Sequence, residues 1–137
     1  MKYDDRIQRS IDYIDRNLTA AIDLKEIARQ SGYSLSHFYK VFPAVTGFSI
    51  KEFVRNKRLA ASARRLVYTR DRILDIAVES GFESQEAFTR AFEALYGTTP
   101  AKYRLTRKRS LDSFDAMDEF ARQMELRVKG GHAMNAA

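Results

Sequence analysis

Residues 73–100 read ILDIAVESGFESQEAFTRAFEALYGTTP, and the fold of the chain can be inferred from the pattern of these residues. The apolar residues of this stretch recur at helical spacing on both sides of a central glycine, which predicts two amphipathic helices joined by a glycine-containing turn. The same pattern occurs earlier in the chain. Residues 24–33 match residues 73–82 at an offset of 49, and residues 38–47 match residues 88–97 at an offset of 50. The chain therefore repeats a fold unit, with one residue inserted in the second turn.

Each copy has the features of a helix-turn-helix motif. The first helix of each copy keeps a small residue, Ala28 or Ala77, where a second helix has to cross closely. The second helix of each copy spaces its apolar residues so that one face is buried. Helix pairs of this kind are common, but two matched copies predict two helix-turn-helix units, at about 24–46 and at about 73–96.

The segments around the two units also predict helices. The N-terminal segment carries an apolar stripe, and residues 23–26 (DLKE) and 49–52 (SIKE) have the form of capping boxes. The second box opens a central helix expected over about 50–67, which would be about 27 Å long at about 1.5 Å per residue. One turn of B-DNA measures about 34 Å, so such a rod can hold two reading helices in successive turns of the major groove. Thr99 and Pro100 supply an N-cap and a first-turn proline for a short final helix.

Composition restricts the class of protein. Hydrophobic residues make up 45% of the 137 residues, and only six glycines and two prolines are present, which favours a folded, mainly helical domain. Without cysteine and with only two histidines, disulfides, thiolate nucleophiles and zinc clusters are excluded. No glycine-rich phosphate loop is present, so no catalytic, metal or cofactor site is expected. Without a long apolar run or a signal peptide, we expect a soluble bacterial protein, cytoplasmic and not membrane-bound.

The positive charge is concentrated in two segments. Residues 31–70 carry eight basic residues against one acidic residue, and residues 101–109 carry five basic residues and no acidic one. Residues 71–100, which lie between them, have a net charge of −4, and the whole chain has a net charge of +6. Two concentrated basic segments favour a polyanionic partner such as a nucleic acid.

The motifs resemble the AraC/XylS family of transcription regulators. The resemblance covers residues 3–107 and is most specific in IAVESGFESQ at 76–85, FTRAF at 88–92 and GTTPAKYR at 97–104. It implies an all-α, seven-helix domain over residues 1–109. In such a domain a long central helix joins two helix-turn-helix subdomains that bind DNA on one face.

The resemblance also implies which residues contact DNA. On the first recognition helix it places Ser36, Tyr39 and Lys40 at base-reading positions and Ser34 at a phosphate-facing position. On the second recognition helix the predicted exposed face consists of Gln85, Glu86, Thr89 and Arg90, whose side chains can read base edges. Phosphate contacts are expected from a further set of polar and basic residues, namely His37, Arg55, Arg58, Ser84, Lys102, Tyr103 and Arg104.

Three points stay open on the sequence alone. Pro43 removes a helical N–H, so the first recognition helix is expected to stop or bend at Phe42. Arg90 has an alternative role in a surface ion pair with Glu86 or Glu93. The acidic second unit leaves open a rival function, a helix-turn-helix module that contacts RNA polymerase or another regulator instead of DNA.

Residues 110–137 lie beyond the domain that the resemblance covers. The apolar residues of 110–128 repeat at helical spacing, which predicts a C-terminal amphipathic helix. This helix is expected to pack on the domain, to pair with another chain through residues 111–128, or to lead into a further domain. DNA binding itself is expected from a monomer, because the two reading units differ in sequence and are joined covalently.

Overall fold

The computed structural model describes residues 4–107, which form seven α-helices and contain no strand. The helices are α1 (Asp5–Arg16), α2 (Leu24–Ser31), α3 (Leu35–Thr46), α4 (Ile50–Tyr68), α5 (Ile73–Glu79), α6 (Gln85–Tyr96) and α7 (Pro100–Arg107). The all-α, seven-helix prediction is therefore confirmed. The predicted helix at 110–128 lies outside the described residues.

The first compact unit comprises residues 4–55 of the described chain. Asp4 caps α1, and the α1 residues Ile7, Ile11 and Ile14 are buried, as the apolar stripe predicted. They belong to a core in which aromatic rings from α3 and the start of α4 meet. In this core the Phe42 ring contacts the Phe53 ring edge to face, with centroids 5.1 Å apart. Such aromatic pairs add to the burial energy and fix the position of α3 in this unit.

The second compact unit comprises residues 56–107 of the described chain. Its core is formed by buried residues of α4, α5, α6 and α7, namely Leu59, Ala63, Leu66, Val67, Ile76, Ala77, Phe88, Phe92 and Tyr103. Ala77 is fully buried, as expected for the small residue at the helix crossing. None of the helices within residues 4–107 is both long and apolar enough to span a membrane.

The two predicted capping boxes have different outcomes. At α4, the Ser49 hydroxyl accepts from the Glu52 backbone N–H at 3.1 Å, and the Glu52 carboxylate accepts from the Ser49 backbone N–H at 3.3 Å. This box is confirmed. At α2, Asp23 caps the helix by accepting from the Lys25 N–H, but Glu26 does not complete the box. Its carboxylate accepts instead from Arg29 at 2.6 Å, and this hydrogen bond with that from Gln30 lowers the pKa of Glu26 to about 2.

Pro43 does not end the first recognition helix. The expectation of a stop at Phe42 is wrong, because α3 continues to Thr46, and its last turn closes where the Gly47 N–H donates to the Pro43 carbonyl at 2.9 Å. Two features hold this turn in place. Phe42 is fully buried, and the buried Thr46 hydroxyl donates to the Phe42 carbonyl at 2.8 Å. Gly47 then takes the left-handed conformation, with φ of +81°, that ends the helix.

Candidate nucleic-acid interface

The predicted recognition helix of the first unit corresponds to α3. Its N-cap is Ser34, whose hydroxyl accepts from the His37 N–H at 3.3 Å. Phe38 and Phe42 are buried and fix the rotation of the helix about its axis. The predicted base-reading residues therefore lie on the opposite face, where all three are exposed, namely Ser36, Tyr39 and Lys40.

Tyr39 places an aromatic ring on this exposed face. Its side chain is 43% exposed, although a large aromatic ring normally gains free energy from burial. An exposed ring next to an exposed lysine suits a surface that receives an apolar and hydrogen-bonding partner at the same time.

The predicted recognition helix of the second unit corresponds to α6, which has the same kind of N-cap, buried residues and terminal glycine as α3. Ser84 caps it by accepting from the Ala87 N–H at 3.1 Å, and Phe88 and Phe92 are buried. Gly97 ends it with φ of +74°. Three of the four predicted base-reading residues, Gln85, Glu86 and Arg90, are exposed, and Thr89 is half-buried.

The basic side chains divide into those that are already paired and those that are not. Arg29 pairs with a carboxylate of its own helix α2, and Arg72, the N-cap residue of α5, pairs with a carboxylate of α5. Arg65 pairs with both Asp71 and Glu79. Other cations form no ion pair within residues 4–107, and these include Lys40, Arg55, Arg90 and Lys102. The alternative in which Glu86 or Glu93 pairs with Arg90 is therefore not what the structure contains, and the charge of Arg90 is available to a partner.

Two predicted phosphate contacts in α7 are corrected. Tyr103 is only 1% exposed, and its ring packs against Phe92 with centroids 5.1 Å apart, so it belongs to the core of the second unit. Arg104 points its guanidinium at the C-terminal end of α4. There it donates to the Leu66 carbonyl at 2.9 Å and to the Asp71 carbonyl at 2.7 Å. Basic composition alone could not show that this cation satisfies carbonyls left open at a helix end.

The remaining predicted phosphate contacts lie at or near the surface. Arg55 and Lys102 are exposed, and Ser34 and Ser84 cap the two recognition helices. His37 is exposed, and its imidazole stacks on the Tyr33 ring with centroids 4.9 Å apart.

Arg58 is half-buried, and its guanidinium lies against the turn of the second unit. A β-carbon built on Gly81 would lie 3.1 Å from its Nη1.

Known proteins share the sequence pattern of these two units. A family model described as a helix-turn-helix domain matches residues 27–106. The multiple antibiotic resistance protein MarA of Escherichia coli is 34% identical over 100 residues, which are 73% of this chain and 79% of MarA. The chain belongs to the AraC/XylS family of helix-turn-helix transcription regulators.

Further relatives of this AraC/XylS-family chain are also bacterial regulators. The transcriptional activator AarP of Providencia stuartii is 36% identical over 94 residues, 69% of this chain and 70% of AarP. An uncharacterised helix-turn-helix regulator of Bacillus subtilis, YbfP, is 38% identical over 130 residues. The match covers 95% of this chain, which spans only 42% of the length of YbfP. The family consists of transcription regulators and not of enzymes.

Solved structures show the same fold as the AraC/XylS-family chain. An AraC-type regulator from Chromobacterium violaceum superposes with a TM-score of 0.71 at 20% identity, covering 74% of this chain and 91% of that one. The DNA-binding domain of AdpA, solved in complex with a target DNA, superposes with a TM-score of 0.67 at 20% identity. That match covers 81% of this chain and all of the AdpA domain.

Proposed function

We propose that this chain is a sequence-specific DNA-binding transcription regulator in the bacterial cytoplasm, which inserts α3 and α6 into the major groove. One observation carries the proposal. Each of the two helices buries a pair of phenylalanines and presents on its other face a cation, Lys40 or Arg90, that forms no ion pair within the described residues 4–107. A charge held on a rigid helix and left without a partner suits contact with an anionic, hydrogen-bonding groove.

The side chains of α3 suit particular base edges. The Lys40 ammonium can donate to O6 or N7 of guanine, and the Tyr39 ring can pack on the methyl group of thymine. Ser36 is a short donor and acceptor that suits either base type. Because Lys40 belongs to the basic segment 31–70, this helix gains free energy from counterion release at every DNA site.

The side chains of α6 suit a more selective contact. The Arg90 guanidinium can donate two parallel hydrogen bonds to guanine, the Gln85 amide can pair with adenine, and the Glu86 carboxylate can accept from N4 of cytosine. A carboxylate on a reading face repels phosphates and accepts only from a matching donor. We therefore assign most of the sequence-independent affinity for DNA to α3. To α6 we assign a larger share of the base specificity in the half-site that α6 contacts.

Phosphate contacts are assigned to exposed groups around the two helices. Arg55 and Lys102 supply charge, while Ser34, His37 and Ser84 lie at the helix N-termini, where backbone N–H groups favour anions. We also propose that one monomer covers an asymmetric site of about two helical turns, because the two reading helices differ and belong to one chain. A footprint that requires a palindrome and two chains would contradict the monomer.

The test compares two alanine variants with a control. Lys40→Ala is expected to lower specific and non-specific affinity together. Arg90→Ala is expected to remove about 1–3 kcal/mol at the best site only and to relax base choice in one half-site. Lys25→Ala removes one exposed cation from the first turn of α2 and is the control.

Binding is measured on a series of base-substituted sites at one fixed salt concentration. If Arg90→Ala leaves the ranking of the sites unchanged, α6 does not read bases. If the wild-type chain does not distinguish the series at all, the proposed function is wrong.

A second candidate function concerns a protein partner, for which RNA polymerase is the candidate. The observation in its favour is that α5 exposes two apolar side chains one turn apart, Leu74 at 47% and Val78 at 58%. If this face binds polymerase, alanine at both positions will lower transcription from a reporter promoter while leaving DNA affinity unchanged. Equal transcription from the variant and the wild type would remove this candidate.

A further inference from the structure

The internal repeat extends further than the sequence motifs, to the helix that precedes each motif. At the same offset of 49, positions in α1 correspond to positions in α4, and the burial pattern agrees. Ile7, Ser10, Ile11 and Ile14 are buried in α1, and so are Asn56, Leu59, Ala60 and Ala63 in α4. The residue types differ at all four of these positions, so here the correspondence appears in the burial and not in the residue type.

Two arginines support this correspondence independently. Arg9 of α1 donates to the Ser31 carbonyl at 3.4 Å, and its Nη2 lies 3.8 Å from a β-carbon built on Gly32. Its counterpart, Arg58 of α4, lies over Gly81, which is the counterpart of Gly32. In both units, therefore, an arginine at the same position of the preceding helix lies against the turn of the motif.

The correspondence pairs Arg6 with Arg55, one turn before Arg9 and Arg58. Arg6 is exposed and forms no ion pair within the part of the chain that the structure describes. Asp4 does not neutralise it directly, since the Asp4 carboxylate accepts from the backbone N–H of Arg6 and caps α1. The charge of Arg6 is therefore available, as the charge of Arg55 is.

Aromatic contacts connect Arg6 to the start of α3. Its guanidinium carbon lies 5.1 Å from the centroid of the Tyr33 ring, and Tyr33 stacks on His37 in the first turn of α3. A cation over a tyrosine face is attracted by the ring and loses some of its freedom. In the second unit the counterpart of Tyr33 is Phe82, whose ring packs against the core residue Phe88 at 5.4 Å. The Arg6–Tyr33–His37 stack therefore belongs to the first unit alone.

We propose that Arg6 is a DNA phosphate contact, presented by α1 through the Arg6–Tyr33–His37 stack. The proposal rests on the proposed function, since it takes α3 to lie in the major groove. The sugar–phosphate backbone borders that groove, and arginine side chains and helix N-termini are among the groups that contact its phosphate oxygens. The ligand is one phosphodiester of duplex DNA next to the half-site that α3 reads. α1 then contributes to DNA binding as well as to the core.

The test measures how affinity for duplex DNA depends on salt concentration. The logarithm of the binding constant falls as the logarithm of the salt concentration rises. Each phosphate contact that is lost makes this negative slope less steep by about 0.9, and a lower slope means a less steep one here. Arg6→Gln is expected to lower the slope by about that amount, and Arg6→Lys, which keeps the charge, is expected to retain most of it. The control is Arg16→Gln, which removes an exposed cation at the other end of α1, about 15 Å away along the helix. Its slope is expected to match the wild type.

The outcomes separate this inference from the proposed function. If Arg55→Ala lowers the slope and Arg6→Gln does not, Arg6 is no phosphate contact and the inference is overturned while DNA binding stands. If Arg6→Gln and Arg6→Lys both lower the melting temperature and leave the slope unchanged, Arg6 has only a structural role, which also overturns the inference. If the wild-type chain forms no complex with DNA, the proposed function itself fails.

Discussion

Arg104 gives the sharpest test of the difference between a structural cation and a DNA-binding one. Its two hydrogen bonds hold the Leu66 and Asp71 carbonyls, and the first of these bonds is partly buried. A hydrogen bond to a charged donor contributes about 1.5–3 kcal/mol, and less where water can replace the donor. We therefore expect Arg104→Ala to destabilise the second unit by about 2 kcal/mol. For a unit of this size that corresponds to a fall in melting temperature on the order of 10 °C.

The matched control for this change is Lys102→Ala on the same helix. Lys102 is exposed and forms no ion pair with any residue between 4 and 107, so its removal is expected to leave the melting temperature within about 1 °C. The affinity of the Lys102→Ala variant for DNA, in contrast, is expected to depend less steeply on salt, with the slope of log K against log salt smaller in magnitude by about 0.9. Thermal unfolding and salt-dependent fluorescence anisotropy of the two variants are measured side by side, with binding recorded well below the unfolding transition. If Arg104→Ala lowers the salt slope and leaves the stability unchanged, the structural role assigned to Arg104 is wrong.

Two further predictions concern stability. Replacing Gly97, Gly32 or Gly81 by alanine places a side chain at φ of +74°, +86° or +88°, so each change is expected to cost about 1–2 kcal/mol in urea unfolding. Gly81→Ala is expected to cost most, because its new methyl group lies 3.1 Å from the Arg58 guanidinium, whereas a methyl group at Gly97 has no neighbour within 4 Å. Equal free-energy costs for the two variants would show that the contact with Arg58 is unimportant. The pKa of Glu26, about 2 in the folded chain against an ordinary 4.5, means that its pairing stabilises the fold above pH 4.5 and that this contribution is lost as pH falls towards 2. Glu26→Gln is therefore expected to lose stability less steeply than the wild type over that interval in acid titrations followed by circular dichroism, and parallel curves would contradict the assignment.

Much of the fold could be predicted because the same sequence features occur in both helix-turn-helix units. Glycines at the ends of helices, serine caps and buried phenylalanines recur at fixed offsets, and each feature has a local cause that one helix is enough to express. Where the prediction failed, tertiary contacts decided the outcome. Pro43 is tolerated within α3 because buried contacts at Phe42 and Thr46 hold the following turn. Glu26 leaves its capping box because Arg29 is a stronger partner than a backbone N–H.

The candidate site was less predictable than the fold, and the reason is specific. Residue type shows that a side chain carries charge, but it does not show whether another group of the protein already uses that charge. The exposed residues of α3 and α6 followed from helical periodicity, since the opposite faces carry the buried phenylalanines. In α7, periodicity did not separate the buried Tyr103 and the bonded Arg104 from the exposed Lys102.

Ion pairs reduce the effective charge of the basic and acidic segments. Arg65, from the basic segment 31–70, pairs with Asp71 and Glu79 of the acidic segment 71–100, and hydrogen bonding to Arg65 lowers the pKa of Asp71. Asp75 is likewise paired with Arg72. Half of the acidic residues of the second unit are therefore held in local ion pairs, in which Arg72 neutralises Asp75 and Arg65 offsets one of its two carboxylates. The acidic charge that DNA would meet comes mainly from Glu83, Glu86 and Glu93, which form no ion pair within residues 4–107. Of these, only Glu86 lies among the predicted base-reading residues of α6. The electrostatic obstacle to the proposed DNA binding by the second unit is thus smaller than a net charge of −4 indicates, and on the predicted base-reading face of α6 it comes from Glu86.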